Sequence, residues 1–83
     1  MAKTDPWKLT INGTEHFAYG ATPDIGYEQL VFAAFPQIPL DEQSNYKFGV
    51  TWLNAWGKTG IVVPGETARI STGINFTVVK YEP

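Results

Sequence analysis

The 83-residue chain contains no cysteine and only one histidine and one methionine. Without thiols there is no disulfide framework, no thiolate nucleophile and no thiolate metal site. Charged residues are sparse, at 17% of the chain, and the formal net charge is −2. Lys3, Lys8, Lys47, Lys58, Arg69 and Lys80 are scattered, so there is none of the basic clustering that a nucleic-acid footprint requires. No apolar run approaches the ~20 residues of a membrane span. The first residues, Met-Ala-Lys-Thr-Asp-Pro, hold no apolar core of a signal peptide. Together with the missing cysteines, this gives an expected cytoplasmic location, with no nucleic-acid or membrane partner and no cofactor.

Apolar residues make up 43% of the chain and aromatic residues 14%, which is the composition of a globular domain with one small core. Residues 1–6 are expected to form a flexible arm, and 7–83 one domain. Trp7, Leu9 and Ile11 alternate with Lys8 and Thr10, and Asn12-Gly13 is the pair that tight hairpin turns favour. Thr14 to Tyr19 reads as the returning strand, with His16 on its polar side, out of phase with Phe17. Gly20 to Asp24 is a turn cluster, and Asp24 or Gly26 is placed to cap the next element. Tyr27, Leu30, Val31 and Ala34 then recur at helical spacing and form one apolar stripe, with Phe32 off it. Glu28 lies in the first turn, where a negative charge suits the helix dipole. Pro36 ends the helix.

Gln37 to Asn45 reads as a loop. Tyr46, Phe48, Val50 and Trp52 alternate against Lys47, Gly49, Thr51 and Leu53, a strand with one buried face and Trp52 in the core. Asn54 to Gly60 is a loop that carries Trp56. Ile61 to Val63 and Thr67 to Ser71 are short strands joined at Pro64-Gly65. Thr72-Gly73 turns, and Ile74 to Tyr81 is the last strand, with Phe76 and Val78 alternating against Thr77 and Val79. A hairpin, a helix and further strands imply an α+β domain, a mixed sheet of about five strands packed on one helix. That arrangement is a β-grasp.

Groups able to do chemistry are few. His16 is alone and reads as a surface residue. Asp41-Glu42 are adjacent in a loop without further ligands at calcium spacing, so no metal site is expected. Ser44 and Ser71 lack a nucleophile elbow. Trp56-Gly57-Lys58-Thr59-Gly60 ends like a phosphate loop, but the first glycine of that loop is missing upstream and no long helix follows. Asn12-Gly13-Thr14 and Asn75-Phe76-Thr77 match a glycosylation acceptor only incidentally. The expectation is a protein that is not an enzyme, with Phe32 and Trp56 as its partner surface.

Several segments in their order carry a resemblance. Tyr27-Glu28-Gln29-Leu30-Val31-Phe32-Ala33-Ala34-Phe35, Val50-Thr51-Trp52, Val63-Pro64-Gly65-Glu66 and Gly73-Ile74-Asn75-Phe76-Thr77-Val78 resemble the bacterial ubiquitin-like proteins often called multiubiquitin domains. The Val-Pro-Gly-Glu turn, followed by a short strand, a Gly turn and an aromatic-centred last strand, is the most specific part. The resemblance implies a ubiquitin-like β-grasp that acts as a protein modifier. Its implied partners are an activating enzyme, a conjugating enzyme and a JAB-type peptidase, and its tail, Lys80, Tyr81, Glu82 and Pro83, would be the point of attachment. The chain departs from ubiquitin in lacking a Gly-Gly end, which also counts against a sulfur carrier. A non-covalent interaction module and a self-associating sheet edge are the alternative readings.

Overall fold

A computed structural model describes residues 6–19 and 22–81. The elements in chain order are β1 (Trp7–Ile11), β2 (Thr14–Ala18), β3 (Asp24–Gly26), α1 (Tyr27–Ala34), a 3-10 helix (Leu40–Asn45), β4 (Lys47–Leu53), β5 (Thr59–Val62), β6 (Thr67–Arg69) and β7 (Asn75–Tyr81). Five strands form one mixed sheet in the order β2-β1-β7-β4-β5. Within it, β1 and β7 run parallel and the other neighbours antiparallel. The domain is therefore α+β, with one helix packed on a five-stranded mixed sheet.

Asn12 and Gly13 both take positive φ, 51° and 81°, so the β1–β2 connection is a two-residue turn whose twist matches its strands. Asn12 also spans the parallel seam. Its side-chain amide donates to the Val78 carbonyl at 2.9 Å, and its side-chain oxygen accepts from the Val78 N–H at 2.8 Å. Its backbone N–H donates to the Phe76 carbonyl at 2.9 Å. Only Thr10–Asn75 and Ile11–Phe76 pair within the two strands themselves. Asn12 thus extends a short parallel seam with side-chain atoms standing in for backbone.

Gly26 precedes α1 in extended conformation. Its N–H donates to the Gln29 side chain at 2.8 Å, which satisfies one group that the helix start leaves open. The stripe Tyr27, Leu30 and Val31 is buried, Ala34 half-buried, and Phe32 exposed. The helix packs across β1, β4 and β7, where Leu9, Ile11, Val50, Phe76 and Val78 complete the core. Fully burying side chains of this kind stabilises by about 1.5–3 kcal/mol each.

The structure corrects four local expectations. The returning strand faces the other way: Phe17 is exposed and His16 half-buried. The cause is register, because the two-residue turn pairs Ile11 with Thr14 and hence Leu9 with His16. Thr14, His16 and Ala18 therefore share the core face, and Phe17 joins Lys8 outside. Thr67–Arg69 pairs with Asp24–Gly26 in a separate two-stranded ribbon, so part of the expected turn cluster is a strand. Leu40–Asn45 forms a 3-10 helix inside the expected loop, where buried Gln43 donates to the Glu28 carbonyl at 3.3 Å. Trp52 is half-buried rather than core, because its indole lies flat over Gly60 at the margin of the sheet. A Cβ on Gly60 would come within 2.4 Å of that ring.

Candidate interaction surface

The β4–β5 loop presents Trp56. The Asn54 side-chain oxygen accepts from the Trp56 N–H at 2.9 Å and the Lys58 N–H at 3.0 Å. The Asn54 N–H donates to the Lys58 carbonyl at 2.9 Å, and the Gly57 N–H to the Asn54 carbonyl at 3.1 Å. One asparagine thus holds the loop in a single geometry, and Trp56 stands 73% exposed on it.

Trp56 and Arg69 border two clefts. The larger, about 450 Å³, runs past Trp7, Ser71 and Thr72, and the smaller, about 330 Å³, lies between Trp52, Thr67 and Ile74. Trp7 lines the larger cleft, and its indole N–H is buried with no hydrogen-bond partner among the described residues.

The expected partner residues Phe32 and Trp56 do not line a common cleft. Phe32 is exposed on α1, and neither cleft bordered by Trp56 contains it. Of the expected tail, Lys80 and Tyr81 belong to β7 and pair with Phe48 and Lys47 of β4. The Lys80 ammonium sits 5.0 Å over the Tyr46 ring, a cation–π contact, and Tyr81 lies against Gly49 on the opposite face. Glu82 and Pro83 lie outside the described residues.

The outer face of the sheet was missed. Leu53, Ile61, Val63, Val79 and Tyr81 are all exposed, and strand alternation puts them on the face away from α1. The signal was present in Ile61-Val62-Val63 and Val78-Val79, where apolar residues occupy both faces of a strand. Lys8 and Glu15 close the β2 side of this face with an ion pair at 3.2 Å.

The remaining chemical candidates stay apart. His16 faces Leu9 across the hairpin, and Asp41 and Glu42 are exposed in the 3-10 helix. Tyr27 has its phenol pKa raised, by burial first and by neighbouring Glu28 second. Among the described residues no three histidine, aspartate or glutamate side chains gather as metal ligands, and no helix is long and apolar enough to cross a membrane. No family model matches the chain, and neither a curated protein nor a solved structure does.

Proposed function

We propose that this chain is a ubiquitin-like protein modifier of a bacterial conjugation pathway, with a β-grasp body and a C-terminal point of attachment. The observation that carries the reading is the sheet order. A hairpin joined through a parallel β1–β7 contact to later strands, with one helix across one face, is compatible with the β-grasp that the sequence resemblance implies. The body offers surfaces rather than reactive groups, so catalysis falls to the activating enzyme, the conjugating enzyme and the JAB-type peptidase. Strand β7 is paired through Tyr81, so an attachment tail would leave from the end of a central strand.

The test is reconstitution. The full-length protein is incubated with ATP and its cognate activating and conjugating enzymes, and products are resolved by intact mass. A covalent adduct through the C-terminal carboxyl is expected, and no adduct under any pairing of these enzymes would remove the reading.

A second reading, a non-covalent interaction module, is favoured by the exposed position of Trp56 beside two clefts. Under it, Trp56→Ala weakens partner capture at least tenfold with an unchanged unfolding midpoint. Equal capture by the two proteins counts against it.

A further inference from the structure

The two ends of the main sheet differ in how they guard against pairing. On β2, Glu15 is tied to Lys8, and a charge is a common guard on an edge strand. Along β5 and the residue that follows it, the run Thr59-Gly60-Ile61-Val62-Val63 has no charge and no proline, and β-branched residues fill four of its five positions. No strand among the described residues covers it. Ile61 on this strand is 71% exposed.

The backbone of β5 has a definite polarity toward this open side. The Asn54 N–H donates to the Lys58 carbonyl, and antiparallel pairing alternates bonded and non-bonded pairs. The pairs Trp52–Gly60 and Val50–Val62 therefore carry the bonds to β4. Thr59 and Ile61 turn their N–H and C=O groups outward, Val63 just past the strand turns its N–H outward while its C=O accepts from the Glu66 N–H at 3.0 Å, and the same three side chains lie on the outer face. We propose that β5 pairs antiparallel with β5 of a second copy of this chain, with Ile61 on the two-fold axis. Ile61 then exchanges both backbone bonds with its equivalent, and the Val63 N–H of each copy donates to the Thr59 carbonyl of the other, about four bonds in all. The exposed Ile61 side chains meet across the axis and lie beside Val63 from each copy.

Charge selects the direction. Lys58 precedes β5 and Glu66 follows it. Antiparallel pairing brings Lys58 of each copy to the Glu66 end of the other, whereas parallel pairing would set Lys58 beside Lys58. An interface that uses the same patch on both copies closes as a dimer. It does not depend on conjugation.

The experiment is sedimentation equilibrium on the whole chain and on variants. The weight-average mass is expected to rise with concentration from the monomer's 9.2 kDa toward twice that value. Ile61→Pro removes an outward N–H and none of the bonds to β4, which an edge strand tolerates, so it should stay folded by circular dichroism and stay monomeric. Phe17→Lys, on the β2 end, should dimerise as the parent does. Register is read independently by cysteine pairing, against a background free of native cysteine. Ile61→Cys should oxidise to a covalent dimer, since bonded antiparallel partners lie about 5.5 Å apart at Cα, within disulfide range. Thr59→Cys alone should not, and should instead cross-link to Val63→Cys on another chain. A monomer mass up to about 1 mM, the weak end of specific association, overturns the proposal. So does a dimer that folded Ile61→Pro leaves intact, or one that Val79→Lys dissolves while Ile61→Pro does not, which would place the second copy on the sheet face. Cross-linking of Thr59→Cys with itself as fast as Ile61→Cys overturns the register.

Discussion

Replacing Asn12 with alanine should remove most of the stability of this domain. The Asn12 side chain makes two bonds to the Val78 backbone, at 2.8 and 2.9 Å, across a parallel seam that otherwise pairs only two residues of each strand. Each bond contributes about 1 kcal/mol net, and its loss leaves a Val78 group facing a side chain that cannot answer it. Asn12 also sits at φ 51°, where a residue with a Cβ and no locally bonding side chain costs about 1 kcal/mol or more. The sum is about 3 kcal/mol, against the roughly 3–5 kcal/mol that a core of this size supplies. Asn12→Gly relieves the backbone term and loses only the bonds, so it should cost about 2 kcal/mol. Urea unfolding followed by circular dichroism separates the two. With a slope near 1 kcal/mol/M for a small domain, the alanine midpoint should fall by about 3 M and the glycine midpoint by less. A loss below about 0.5 kcal/mol for Asn12→Ala, within the range of ordinary surface substitutions, would refute the clamp. Equal losses for the two variants would refute the backbone contribution.

Three further outcomes follow from packing and ionisation. Gly60→Ala puts a Cβ where the Trp52 indole now lies; the ring must move, at a cost of about 1–3 kcal/mol, and the indole emission of Trp52 should shift to the red as it becomes wetter. The Tyr27 phenol has its pKa raised by burial and by Glu28, so above the ordinary phenol value of about 10 the unfolded chain releases this proton more readily than the folded one. Stability is therefore unaffected below that pH and falls as pH climbs through the folded value, and Tyr27→Phe should flatten the fall in urea midpoint above about pH 10. Phe32→Ala should change the midpoint by less than about 0.5 kcal/mol, since this exposed ring stands off the buried stripe of α1.

Local patterns were legible wherever a single face is buried. The alternation of β4 and β7 and the stripe of α1 follow directly from periods of 2 and 3.6, and Asn12-Gly13 announced its own turn. Pairing was not legible, because the β1–β7 seam joins residues more than sixty positions apart and no local preference encodes it. The second task of Asn12 was hidden for the same reason. The ribbon β3–β6 has strands of three residues, too short for alternation to show. Trp56 was legible because a tryptophan in a glycine-bearing loop has little core to enter.

The reversal of Phe17 and His16 exposes a different limit. Hydrophobicity alone puts Phe17 inside, but a two-residue turn leaves no freedom: once Asn12-Gly13 is the turn, Ile11 must face Thr14, and Phe17 must face out. Turn geometry outranks side-chain preference here because slipping the register by one residue would move the whole of β2 to the wrong face, while leaving one ring in water costs only that ring's burial. The same ordering applies at the other end of the sheet. The Asn54 loop sets the parity of β5, and that parity sends Ile61 and Val63 outward whatever their own preference. Apolar residues on the outer face are thus held there by hairpin registers that the fold cannot relax. Exposed apolar surface that a monomer cannot bury by rearranging is surface that a partner can bury.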